Sequence, residues 1–163
     1  MAQTAAELYV VGLRNAHAME VQARELMERQ SERTDDYPEV KAMLTRHLAE
    51  TKEQLVRLDS CLSQCGEDSS MLKDTAQSMV ANVAALFHAA SDDEILKNTF
   101  ANNAFENFEI AAYKSLMTMA EAAGRSSDKQ VLQLSLDEEQ KMADWVAANV
   151  EKVTAAYLRH AAI

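Results

Sequence analysis

Residues 102–113 read Asn102-Asn103-Ala104-Phe105-Glu106-Asn107-Phe108-Glu109-Ile110-Ala111-Ala112-Tyr113. Spacings of three and four place Asn102, Phe105, Glu106, Glu109 and Tyr113 on one helical face, and Leu116 and Ala120 continue it. That face is the one a helix would turn toward its neighbours, yet it carries two carboxylates. An ionised carboxylate buried without a partner is costly and tends to neutralise by taking up a proton. What compensates Glu106 and Glu109 is therefore the question the rest of the chain must answer.

Upstream, residues from about Gln3 to Ser31 keep the same period through Leu13, Ala16, Glu20, Ala23 and Met27. The segment Thr34-Asp35-Asp36-Tyr37-Pro38 breaks it, and Pro38 suits the first turn of a second helix. That helix is expected to run to about Cys65, with Val40, Leu44, His47, Glu50, Gln54, Leu58 and Cys61 on one stripe and Gly66 as its stop. A shorter helix is expected from about Ser70 to Ala90, where a long crossover is needed. Ser91-Asp92-Asp93-Glu94 opens the helix that holds Glu106 and Glu109, and Gly124 closes it. Ser126-Ser127-Asp128 starts the last helix, with Leu132, Leu136, Glu139, Ala143, Val146, Val150 and Val153 on its seam. The expectation is an all-α, single domain over residues 1–163: a ferritin-like four-helix bundle with an additional shorter crossover helix.

Five acids thus fall on apolar seams: Glu20, Glu50, Glu106, Glu109 and Glu139. In antiparallel hairpins Glu20 and Glu50 lie at similar heights, as do Glu106 and Glu139. Converging carboxylates repel one another, and a pair of divalent cations with a preference for oxygen ligands removes both the repulsion and the burial cost. The di-iron carboxylate pattern places a Glu on each of two helices and Glu-x-x-His on each of the other two. This sequence departs from it: Glu53 follows Glu50 by three, and Met142 follows Glu139 by three. Lys141 follows Glu138 in the same way. His47, one turn before Glu50, and Gln54, one turn after, are candidates for coordination or support. Whether His47, Glu53, Gln54 or Glu138 completes the set stays open. The competing structural reading is a polar layer that fixes helix register.

Composition narrows the function classes. The chain has only 3 Gly and 1 Pro and is 48% hydrophobic, which favours long helices over strands. No apolar run reaches the roughly 20 residues of a membrane span. No basic stretch followed by an apolar one marks a secretory signal, so a cytoplasmic location is expected. A net charge of −10 with no Lys/Arg cluster argues against nucleic acid. Cys61 and Cys65 read as small buried residues, His17, His88 and His160 as ordinary polar positions, and the 9 Met with Trp145 as packing. Tyr113, one turn after Glu109, is a core tyrosine that can hydrogen-bond a carboxylate. No nucleophile elbow, phosphate loop or zinc motif points to a hydrolase.

Several segments occur in order across nearly the whole chain: Leu13-Arg14-Asn15-Ala16-His17-Ala18-Met19-Glu20-Val21-Gln22, Tyr37-Pro38-Glu39, His47-Leu48-Ala49-Glu50-Thr51-Lys52, Phe108-Glu109-Ile110-Ala111 and Asp137-Glu138-Glu139 with Met142-Ala143-Asp144-Trp145. As a set they resemble the YciE/YciF group of bacterial stress-response, ferritin-like proteins. The resemblance implies a helical ferritin-like fold, a homodimer and a dinuclear metal site, carried here onto Glu20, Glu50, Glu106, Glu109 and Glu139. Similar proteins can have a His where Lys141 stands, so the ligand from the last helix is Glu138 or Glu139. The function expected is binding of two iron or manganese ions that react with oxygen or peroxide. The alternative is a structural or interaction bundle, also dimeric, whose metal site has decayed.

Overall fold

The computed structural model describes residues 2–67 and 93–161, and within them the chain forms four helices: α1 (Ala5–Ser31), α2 (Pro38–Gln64), α3 (Glu94–Ala122) and α4 (Ser126–Ala161). The expected crossover helix over Ser70–Ala90, with His88, lies outside the described residues.

Local signals set the ends. Thr4 caps α1 through a reciprocal box: the Glu7 amide donates to Thr4 Oγ1 (3.2 Å) and the Thr4 amide to Glu7 Oε2 (2.8 Å). Pro38 opens α2, where its missing N–H costs nothing. Both α2 and α3 stop at a left-handed glycine, Gly66 at φ 78° and Gly124 at φ 73°. In each case the two following amides turn back onto the last turn: Gly66 to Ser63 and Glu67 to Leu62, then Gly124 to Glu121 and Arg125 to Ala120.

α1 packs antiparallel on α2, and α3 on α4; the two hairpins meet through α1 against α3 and, more lightly, α2 against α4. Helices α2 and α3 are therefore diagonal. Leu13, Leu58, Cys61, Leu116, Leu132 and Val146 of the expected seams form one core, joined by Tyr9 at one end and by Met43 and Met142 at the other. The reciprocal side-chain amide pair of Gln30 and Asn102 (3.0 and 2.9 Å) pins α1 to α3. Asn102, Val40 and Val150 lie at the rim of the core, half-buried, instead of in its centre. Cys61 is buried and Cys65 half-buried, both as free thiols. No described helix is long and apolar enough to cross a membrane.

Candidate metal centre

Midway along the bundle the apolar core is interrupted by a layer of acids. Glu20 on α1, Glu106 and Glu109 on α3 and Glu139 on α4 are 0%, 4%, 1% and 0% exposed. Each occupies the inward position its helical spacing dictates. The buried atoms Glu20 Oε2, Glu106 Oε2, Glu139 Oε2 and both oxygens of Glu109 have no hydrogen-bond partner among the described residues. Orphaned oxygens at this depth are rare because each forfeits its hydration.

His47 enters the layer from α2 and is 1% exposed. Its Nε2 lies 3.3 Å from Glu106 Oε2 and 3.2 Å from Glu139 Oε2, within ion-pair range but hydrogen-bonded to neither. Its Nδ1 is 3.0 Å from Glu50 Oε2. Glu50 itself stands at the rim, with 26% of its side chain exposed. His47, Glu106, Glu109 and Glu139 each offer one donor atom, and the four lie within 4.8 Å of one another. Glu20 and Glu50 flank that group, one on the α1 side and one at the surface.

The electrostatics follow from crowding. Burial, then the Glu139 charge, holds Glu109 well above the ordinary carboxyl value; Glu20 is raised for the same two reasons in the same order. Burial pushes Glu106 up to about 8, against the pull of His47. For His47, burial works downward but Glu106, Glu139 and Glu50 outweigh it, and the imidazole is held well above its ordinary value. Glu50 is lowered, first by its hydrogen bond with His47. An ionised carboxylate only accepts, so Nδ1 carries the proton shared with Glu50 and Nε2 faces the acids.

Supporting contacts hold the layer from outside. The Tyr113 hydroxyl, 0% exposed, donates to Glu20 Oε1 (2.7 Å). Gln54 Nε2 donates to Glu139 Oε1 (2.5 Å) and Glu138 Oε2 (3.0 Å). Arg57 forks onto Glu138, Nη1 to Oε2 (2.6 Å) and Nη2 to Oε1 (2.9 Å), and reaches Ser135 Oγ (3.1 Å). The alternatives left open by the sequence thus separate. Glu139 faces the layer, Glu138 is turned toward Arg57, Glu53 is exposed, and Gln54 braces Glu139. The residue that sequence reading undervalued is His47. Its signal was available: an imidazole on the α2 stripe, three residues before Glu50.

The donor set suits a hard to borderline divalent ion. It combines several carboxylate oxygens with one imidazole nitrogen. His47 Nε2 with Glu50 on Nδ1 reproduces the carboxylate–histidine arrangement that orients a metal-ligating ring. A cation would take up the orphaned oxygens and relieve the mutual repulsion of the acids.

The comparisons agree with this architecture. The family model described as "Domain of unknown function (DUF892)" matches residues 4–159. A solved protein from Xanthomonas campestris pathovar campestris is similar at 26% identity, covering 98% of this chain and 99% of that one, with a TM-score of 0.80. The Escherichia coli stress protein YciF is similar at 18% identity, covering 94% and 99%, with a TM-score of 0.76. YcfI from Rhodopseudomonas palustris is similar at 23% identity, covering 89% and 94%, with a TM-score of 0.69.

Proposed function

This chain belongs to the DUF892 family, its resemblance to the YciE/YciF group is borne out, and from that premise we propose that it is a stress-response protein holding two iron or manganese ions in its carboxylate layer. The observation that carries the reading is the group of His47, Glu106, Glu109 and Glu139 within mutual reach, with buried oxygens that have no hydrogen-bond partner among the described residues. In this reading His47, Glu106, Glu109 and Glu139 hold one ion, and Glu20, with Glu109 and Glu139, supplies the second. Glu50 either orients His47 or joins as a ligand at the open side. The bound ions would supply redox chemistry with oxygen or peroxide. The protein's own part is to hold the donors in place: Gln54 on Glu139, Tyr113 on Glu20, Glu50 on His47. A homodimer accompanies this reading, supported by the family resemblance alone.

The test is anaerobic titration of chelator-treated protein with Fe²⁺ and Mn²⁺, read by calorimetry and elemental analysis. Saturation near two ions per chain, followed by an oxygen-dependent absorbance with iron, is the expected outcome. One specific feature favours a second reading, a helical bundle that acts as a scaffold. Without a cation His47 lies against three carboxylates and offsets part of their charge, and the usual partner histidines are replaced by exposed Glu53 and buried Met142. Absence of saturable binding would decide for the scaffold.

A further inference from the structure

Beside the loop between α1 and α2, and against the last turns of α4, lies a cavity of about 230 Å³ whose walls include Tyr37, Trp145, Lys152 and His160. A smaller cavity of about 10 Å³ lies beside it, with Met43, Leu44, Thr99, Asn102 and Met142 in its wall. Val40 and Trp145 line both, so these two side chains stand between them.

The inner cavity sits one helical turn from the carboxylate layer on three helices at once. Met43 precedes His47 by four residues, Asn102 precedes Glu106 by four, and Met142 follows Glu139 by three. α2 and α3 both begin at this end of the bundle and α4 finishes there, so the three stacks climb from the cavity to the layer over about 5 Å. The wall is thioether, aliphatic and indole, and no charged side chain lines it among the described residues. Its two polar members are already engaged: the Thr99 hydroxyl donates to the Ile95 carbonyl (2.8 Å), and Asn102 pairs with Gln30. A hydrated cation would lose its water there with nothing in exchange. The space suffices for about one small molecule.

We infer that the end cavity and the inner cavity, with Val40 and Trp145 between them, form a passage by which dioxygen reaches the carboxylate layer. The proposed function supplies only the reason dioxygen matters; the passage itself is a property of the packing and is tested without metal.

The experiment labels the methionine and leucine methyl groups of metal-free protein and measures their relaxation under dissolved dioxygen. The methyls of Met43, Met142 and Leu44 are expected to relax several-fold faster than those of Leu58 and Leu132, which are equally buried and line neither cavity. Val40→Trp should remove that excess. If it does not fold, Ala156→Trp fills the half-buried wall of the outer cavity instead. In metal-loaded protein the same variant should slow the oxygen-dependent absorbance about tenfold while metal stoichiometry stays that of the parent. Even relaxation across both sets of methyls, or undiminished excess in a folded Val40→Trp variant, overturns the passage. Selective relaxation in a protein that binds no metal supports the passage and removes the proposed function instead. Two bound ions with even relaxation does the reverse.

Discussion

Replacing Glu109 by glutamine should stabilise the metal-free protein while damaging its response to metal. Glu109 is 1% exposed, neither oxygen has a partner among the described residues, and its pKa stands well above the ordinary 4.5 because of burial and the neighbouring acids. At about pH 7.5 the fold therefore works against the carboxyl's tendency to ionise, and every pH unit by which its proton is held past the unfolded value costs about 1.4 kcal/mol. Glutamine has nearly the same shape and needs no proton. Its amide is still a buried polar group, so only part of that cost should be recovered, roughly 2 kcal/mol, the scale of one unsatisfied buried polar group. For a chain of this size that corresponds to about 4–8 °C in Tm. At about pH 3.5 the advantage should vanish, because the parent carboxyl is then protonated in both states. The assay is urea denaturation of chelator-treated protein at both pH values, with thermal shifts in Fe²⁺ and Mn²⁺ alongside. A ligand at about a hundred times its Kd stabilises by roughly 2.7 kcal/mol, and the variant should forfeit most of this. A Glu109→Gln protein less stable than its parent at both pH values would refute the reasoning, since Glu109 would then be held by a favourable contact.

Tyr113→Phe removes a buried hydrogen bond to Glu20, and a loss of about 1–2 kcal/mol is expected in denaturant unfolding, with metal still bound. The parent's pH profile follows from Glu106, raised by burial to about 8 from 4.5: its contribution is fully present below 4.5 and is lost as pH rises through about 8. Metal-free stability should therefore fall across that window and the metal-induced increment should grow, which thermal melts with chelator and with Mn²⁺ will read. Gly124→Ala places a side chain at φ 73° and should cost about 1 kcal/mol in stability while leaving metal stoichiometry unchanged, as elemental analysis will check.

Much of the fold was legible because its signals are local. A capping threonine, a proline at the first turn and two glycines that tolerate positive φ act on the few residues around them, and they set the helix ends within a residue or two of expectation. The inward direction of Glu20, Glu106, Glu109 and Glu139 was legible for a related reason. A helix turns about 100° per residue, so residues three, four and seven apart keep a shared face.

The same rotation explains where that reading was too coarse. With His47 aimed at the centre, Gln54 is about 20° off axis but Glu50 about 60°, enough to carry it to the rim. Glu138 and Glu139 differ by about 100° on α4, so with Glu139 facing the layer Glu138 is turned aside, where Arg57 of another helix takes it up.

The sequence by itself determined the four described helices, their ends and a stripe of acids on faces that had to be buried, because helical periodicity and capping are properties of neighbouring residues. Only the tertiary structure decided that His47 reaches Glu50, Glu106 and Glu139 together, that Gln54 braces Glu139, and that two cavities stack beneath the layer. Those relations span residues 47 to 139, and they depend on the spacing and rotation of packed helices, which no local pattern in the chain encodes.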